Sequence, residues 1–543
     1  MSGGLLNLIA IGNANVFLTG NPSKTFFRTT YCKYSNFGLQ KFRIDYTGSR
    51  DLRTTEASTF KFKIPRYADL LMDTYLVITI PDIWSPVYPP TSDTNEKYIP
   101  YEFRWIEDLG TNLITEIEIN CGSFCLARYS GAYLAAMVDR DFTSEKKQLF
   151  KHMTGNVPEL NDPANAFGRS NTYPNAFNYE TEEYSSGTEP SIRGRNLYIP
   201  LNAWFTLNSR CAFPMIALQY NELEINVTLR SIQELFQVRD VFDSTDNFPY
   251  VKPDFTQRRF QMFQFLQSPL TQSILDEEAY NNTFNTWNSD VHLLCNYAFL
   301  SKEESKQFAQ EDQVYLVKEV ISYNFQNISG TQKVKLENST GMVSSWMWYF
   351  QRNDVTMRNE WSNYTNWPYR SLPADITLVT GTLVSQPDGM NTGLFISGPL
   401  QPCNLKEIML TMGILLDGKY RENTLPRGVF DYIEKYTRTN SFAKEGVYCY
   451  QFCLDTNPNT YQPSGAINLG KFKNIELEFT TLIPEIDKMN SNYQILCDDN
   501  GNAIGINKSS WKLYEYTYNL VLFEERYNII SFIGGNCGML YAK

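Results

Sequence analysis

Apolar and polar residues alternate one by one through short runs along most of the chain, the period-two pattern of half-buried β-strands. Ile475, Leu477 and Phe479 are set against Glu476 and Glu478, and Leu223, Ile225 and Val227 against Glu222, Glu224 and Asn226. Thr59–Ile64 points Phe60, Phe62 and Ile64 inward and Lys61 and Lys63 outward until Pro65 stops it. Further strands are expected over Thr74–Ile80, Asp290–Leu300, Val314–Val320 and the tryptophan-rich Ser345–Phe350. Ahead of Ile475, Gln462-Pro463-Ser464-Gly465 joins a fixed φ to a residue free to take positive φ. The chain must reverse there before Ala466–Leu469 extends again. One segment breaks the pattern: Ser301–Asp312 reads as an amphipathic helix with Ser301 as cap, Glu303 and Glu304 in its first turn and Phe308 as anchor.

These patterns occur twice. The strand Asn221–Leu229 returns 252 residues later, with Thr228 matched by Thr480. Glu116, Ile117, Gly122 and Tyr129 are echoed by Glu407, Ile408, Gly413 and Tyr420, each 291 residues on, and Tyr198 by Tyr448, 250 on. Three features in the same order predict two copies of one β-domain, the first carrying roughly 40 extra residues between Tyr129 and Tyr198. The stretches 141–196 and 352–395 read as long excursions outside the sandwich cores; the first is either a recognition surface or a solvated spacer.

Composition agrees and narrows the function. At 543 residues the chain exceeds one core, and 35 Tyr with 35 Phe favour pleated, half-buried surfaces. A net charge of −11 offers no positive field for a phosphate backbone or an anionic membrane surface. Ten cysteines are too sparse for a disulfide framework and read as buried thiols of a protein assembled inside a cell. The close pairs Cys121/Cys125 and Cys449/Cys453 put their sulfurs about 13 Å apart on an extended strand, too far to share a metal ion. Only His152 and His292 exist to complete any metal set, so no metal, cofactor or catalytic residues are expected.

Two segments leave alternatives open. The apolar start, residues 1–25, lacks a basic leader and cleavage site and is too short to span a bilayer, and Ser2 excludes N-myristoylation. It is either an arm that contacts a neighbouring subunit or membrane, or a first strand tucked onto its own domain. In Phe26–Asp45, Phe26, Phe27, Tyr31, Tyr34 and Phe37 interleave with Arg28, Lys33 and Lys41. That mixture suits either packing in the β-domain or a stacking platform for single-stranded nucleic acid, and the acidic balance favours packing.

Five stretches in order carry a resemblance: GLLNLIAIGNANVFLTGNPSKTFFRTTYCKYSNF at 4–37, AFPMIALQYNELEINVTL at 212–229, CNYAFLSKEESKQFAQEDQVYLVKEV at 295–320, YQPSGAINL at 461–469 and YNIISFIGGNCGMLYAK at 527–543. Together they resemble the double jelly-roll major capsid proteins of nucleocytoplasmic large DNA viruses. The resemblance implies an all-β chain of two tandem eight-stranded jelly-roll β-sandwiches with long inserted loops and a short inter-domain helix. Its parts would be an arm at 1–25, a first jelly roll at 26–300, a helical linker at 301–312 and a second jelly roll at 313–543. It further implies a late-expressed structural protein, not an enzyme, whose homotrimers form pseudo-hexagonal capsomers tiling an icosahedral virion shell assembled in the host cytoplasm. Implied partners are neighbouring capsomers, minor capsid and penton proteins and, through the N-terminal arm, an internal membrane, with no direct nucleic-acid binding. The stretches 141–196 and 352–395 would then be the exposed surface that knits the trimer.

The alternative is a glycan-binding sandwich, because Trp361, Trp367 and Tyr364 could stack on sugar rings if exposed. Cupin-type catalysis would need clustered histidines, and no G-x-S-x-G elbow or Walker loop is present. Gly534-Gly535-Asn536-Cys537-Gly538 has no helix after it to hold a phosphate and reads as a tight turn. Sequons at Asn226, Asn281, Asn327, Asn338, Asn363 and Asn507 are expected to stay unmodified for want of a secretory leader.

Overall fold

Sixteen strands build two β-sandwiches of identical topology. The computed structural model describes residues 2–48, 51–88, 99–177, 188–241, 249–269, 280, 282–337, 339–371, 382–385, 391–396, 404–484, 493–497, 503–508, 513 and 515–541. In the first sandwich the strands are β1 Gly38–Asp45, β2 Ser58–Ile64, β3 Leu70–Ile80, β4 Ile114–Cys121, β5 Phe124–Tyr129, β6 Arg195–Pro200, β7 Leu223–Leu229 and β8 His292–Phe299. In the second they are β9 Gln313–Ile328, β10 Thr331–Lys335, β11 Met342–Arg352, β12 Met409–Leu416, β13 Lys419–Pro426, β14 Val447–Gln451, β15 Ile475–Thr481 and β16 Tyr518–Ile533. The first pair of sheets runs β1-β8-β3-β6 and β2-β7-β4-β5, the second β9-β16-β11-β14 and β10-β15-β12-β13. Adding eight to every strand of the first gives the second, which is the two-sheet order of a jelly roll repeated in tandem.

The equivalence extends to single side chains. Thr59 on β2 faces Thr228 on β7 with their hydroxyls 3.1 Å apart, and Thr331 on β10 faces Thr480 on β15 at 3.0 Å. The 252-residue echo therefore marks structurally matched positions. The 291-residue echo pairs the right strands in the wrong register. Ile117 lies opposite Val227 and Ile119 opposite Ile225, whereas Met412 lies opposite Phe479 and Ile414 opposite Leu477. Ile117 thus matches Met412, four residues beyond Ile408. A four-residue slip keeps every side chain on its own face, so alternation cannot detect it.

Most expected strands appear at nearly their predicted bounds, and β2 alternates buried and exposed residues throughout. Val314–Val320 falls in the first half of a longer strand, β9, and Ser345–Phe350 lies within β11. The linker helix α3 spans Lys302–Gln310. Ser301 caps it by accepting from the Glu304 amide at 3.4 Å, and Phe308 packs with Leu70, Ala212 and Ala298. Ser301→Ala is expected to cost about 1 kcal/mol, read as a lower urea midpoint with the slope unchanged.

The stretch 141–196 is more structured than an excursion. Helices α1 Gly131–Asp141 and α2 Ser144–Thr154 lie in the connection from β5 to β6, and Phe142, Val157, Leu160 and Ile192 are buried in the first core. Few apolar residues suffice there because short helices need only one anchoring face. Residues 178–187 of this stretch lie outside the described residues. The equivalent link in the second sandwich, 427–446, also contains a short helical segment, Val429–Arg438.

The two sandwiches share a core. The larger buried cluster runs from the first sandwich through Tyr315, Tyr349, Phe523 and Phe532 of the second. Across this seam the Phe213 ring meets Phe532 edge-on at 5.1 Å, and Tyr133 meets Phe523 at 5.5 Å. Aromatic rings fill this junction and a second cluster around Trp346, Trp348 and Phe350.

Candidate functional site

The seam holds a cluster of fully buried charges. Helix α1 begins at Ser130, whose hydroxyl accepts from the Tyr133 amide at 3.3 Å. At Gly131 a Cβ would fall 1.8 Å from the Thr111 carbonyl oxygen, so only glycine lets the helix seat this closely. The far end of α1 presents Arg140 and Asp141 to β16. Arg140 Nε and Nη2 donate to Asp141 at 2.8 and 2.6 Å, and Nη2 also reaches Glu525 at 2.9 and 3.1 Å. Tyr133 and Ser345 donate hydroxyls to Glu525 at 2.8 and 2.6 Å, and Thr456 donates to Asp141 at 2.6 Å. All three charged side chains are at most 1% exposed.

Burial pushes the Glu525 carboxyl up, but Arg140, Lys318 and the two hydroxyls outweigh it and hold the group at about 2. Burial wins at Asp141, which is raised, with Glu525 adding to the rise. One guanidinium therefore serves two carboxylates unequally. Beside them a cavity of about 130 Å³ is lined by Tyr133, Arg140, Lys318, Glu525 and the Gln462–Ser464 turn. The turn reverses the chain as expected: Ser464 Oγ donates to Asp455 O at 2.8 Å, and Ile467–Asn468 then pairs with Met342–Val343.

A second clasp lies nearby. Ser362 donates to Asp108 at 2.7 Å, and Lys444 and Asn156 also donate to Asp108. Burial raises this carboxyl, and Lys444 more than reverses it, so the Asp108 pKa is lowered. Residues from both sandwiches meet here too.

Residues 352–371 are mostly buried, which corrects the expectation that this part of the stretch is exposed. Asp354, none of it exposed, takes Arg352 at 2.9 and 2.7 Å and Arg358 at 3.1 Å. Asn359 donates to the Gln233 and Phe236 carbonyls at 2.8 Å, fastening the segment to the first sandwich. Residues 372–381 and 386–390 lie outside the described residues. The sugar-stacking reading fails on the same geometry. Tyr364 is buried against Tyr349 with ring centroids 4.1 Å apart, and Trp361 donates to Glu234 O at 3.0 Å under the Arg230 guanidinium. Trp367 donates to Asn404 O at 2.8 Å. None of these rings is free for a ligand.

The cysteine spacings mislead. Cys121 and Cys125 are not on one strand; the chain turns between them at Gly122, whose φ is +60°, leaving Cys121 buried and Cys125 exposed. Among the described residues no three His, Cys, Asp or Glu side chains group as a metal set. Asn363 is buried and bonded to Trp367 O and Pro368 O, so its sequon is closed in the folded chain.

The N-terminal arm is not tucked onto its own domain. Helix Gly3–Ile9 buries nothing, and Phe17, Leu18, Phe26 and Phe27 are 89–99% exposed. Tyr31 and Tyr34 are likewise exposed, so the expected packing of the aromatic–basic run into the β-domain begins only with the strand at Gly38. Among the described residues no helix is long and apolar enough to cross a membrane.

Sequence comparison places this architecture. A family model described as the major capsid protein N-terminus matches residues 25–301, and one described as the large eukaryotic DNA virus major capsid protein matches residues 304–538. The major capsid protein of Phaeocystis pouchetii virus is 23% identical over 98% of this chain and 99% of its own length. That of Paramecium bursaria Chlorella virus 1 is 24% identical, with full coverage of both chains. Among solved structures, a quasi-atomic model of the PBCV-1 virus capsid superposes with a TM-score of 0.57 at 18% identity, covering 96% of this chain and 100% of that one. The Faustovirus major capsid protein gives 0.58 at 13% identity, with 96% and 94% coverage.

Proposed function

This chain belongs to the major capsid proteins of large eukaryotic DNA viruses, and from that membership we propose that three copies close into a capsomer with a pseudo-hexagonal outline. As a structural capsid protein its work is done by shape and contact. The observation that carries the proposal is the repeated topology. Two sandwiches with the same strand order, fused through one buried seam, give six like blocks around a threefold axis, and such a unit tiles a flat facet with one chain type. The seam matters to that role because tiling needs the two blocks held at a fixed angle. We take the blocks as 26–300 and 313–543, joined by 301–312 and preceded by the arm 1–25.

The same reading assigns the arm to partners outside the chain. Its helix and the rings of Phe17, Phe26 and Phe27 have no cover from their own sandwiches. Neighbouring capsomers, minor capsid and penton proteins, or an internal viral membrane would supply it, in a shell assembled in the host cytoplasm. A net charge of −11 suits a shell that does not touch the genome. No enzymatic role is proposed.

Native mass measurement of the purified chain at micromolar concentration is expected to show a trimer. A lone monomer at that concentration would sink the proposal. Removing residues 1–25 is expected to leave the trimer intact and to abolish co-flotation with liposomes; unchanged flotation would remove the membrane from the arm's partners.

A further inference from the structure

We propose that Cys121 and Cys537 form a disulfide that fastens the C-terminal hairpin to the first sandwich. The two cysteines come from different sandwiches. Cys121 is the last residue of β4, and Cys537 lies in the short strand Asn536–Met539, which folds back along β16 with Cys537 opposite Phe532. They meet because that hairpin reaches over the seam. The Gly535 carbonyl accepts from the Gln219 and Tyr220 amides at 2.9 and 3.2 Å, and Asn536–Met539 lies against β5.

The receiving side is equally fixed. Cys121 sits at the turn from β4 to β5 with Leu223 and Phe124 as its ladder partners, and the Gly122 amide donates to Glu222 O at 2.9 Å. Both sulfurs are buried, and the two thiols lie in side-chain contact. No spacing rule selects this pair, since the chain between them contains nearly all of both sandwiches. The contact with Cys537 holds the Cys121 thiol below its ordinary value.

The bond forms by exchange with a small-molecule disulfide. The Cys121 thiolate attacks one sulfur of that disulfide and expels a thiolate. The Cys537 thiolate then attacks the mixed disulfide at the Cys121 sulfur and expels the second. The chain loses two protons and two electrons and gains one S–S bond, and the reagent ends as two thiols. Because both sulfurs are buried, exchange takes place while the hairpin is lifted from the seam, before it first seats or during a local opening.

The test uses the full chain incubated with excess oxidised glutathione at neutral pH. Remaining thiols are alkylated in denaturant and the peptides are mapped without reduction. The expected result is a linked Cys121–Cys537 peptide pair about 2 Da lighter than its reduced parts. The oxidised chain should melt about 3 °C above the same chain after reductant. Cys537→Ser should abolish the linked pair and the reductant-sensitive part of the midpoint, and the mapping of the unmutated chain stands without that variant. Recovery of both residues alkylated, of glutathione adducts alone, or of Cys121 joined to Cys125 would overturn the proposal. The outcome does not depend on whether the chain trimerises.

Discussion

Replacing Arg140 with methionine is expected to destabilise the folded chain by about 3–5 kcal/mol, the cost of leaving a buried carboxylate without its cation. The guanidinium is the shared partner of Asp141 and Glu525, all of it out of reach of water. Methionine fills the space but leaves Glu525 with only the Tyr133 and Ser345 hydroxyls as direct donors. Urea unfolding followed by tryptophan fluorescence measures the loss, and a shift under about 1 kcal/mol would show that Arg140 does not hold the seam. The effect carries a pH signature. Glu525 is held at about 2, below the roughly 4.3 of an unfolded glutamate, so its ionisation stabilises the fold above that value. The contribution is lost as pH falls from about 4 toward 2, and Arg140→Met should flatten that acid limb. Asp141 acts in the opposite sense. Its raised value means that the proton it retains in the fold helps below the ordinary aspartate range and that this help fades as pH rises through the raised value.

Asp354→Asn is expected to cost about 3–5 kcal/mol as well, for the mirror-image reason. Two buried guanidiniums, Arg352 and Arg358, would keep their carbonyl contacts at Asn366 and Pro368 but lose the carboxylate that pairs with both. Burial pushes Asp354 up, and the two arginines reverse that and depress it far below the ordinary carboxylate range. Its stabilisation is present above about 3.9, the unfolded value, and is lost as pH falls below it toward the depressed value. The gap between wild-type and Asp354→Asn stability should therefore narrow in strong acid. Limited proteolysis gives a second readout, because the segment fastened to Gln233 and Phe236 through Asn359 should become cleavable. Resistance equal to wild type would mean that Asn359 and Trp361 hold the segment without Asp354.

How much of this was legible in the sequence depends on whether a face met water. The strands β2, β7 and β15 have one wet face, so their alternation could be read directly and even gave the 252-residue match confirmed by the two threonine pairs. Strand β16 escaped notice. Glu524, Glu525 and Arg526 interrupt its apolar run and look like a polar loop, yet all three are buried. Glu524 turns into the second core, where Ser339 and Trp346 donate to it at 2.6 and 3.0 Å, and Glu525 turns into the seam. Arg526 pairs with Glu319 at 2.8 Å. Buried charge reads as exposed charge until its partner is known, and the partner of Glu525 lies in the other half of the chain. The same blindness made 352–371 look like a surface loop and its tryptophans like sugar platforms.

The seam also dictates an order of events during synthesis. In each sandwich the first strand pairs with the last, β1 with β8 and β9 with β16. The arginine on α1 must wait for Glu525, which leaves the ribosome 385 residues later. Throughout that interval a half-made molecule displays the aromatic face meant for Phe523 and Phe532, together with an Arg140–Asp141 pair that still lacks Glu525 and Thr456. Translation of this chain therefore passes through a sticky, incomplete stage, and abundant production requires folding helpers or dilution to keep such halves apart.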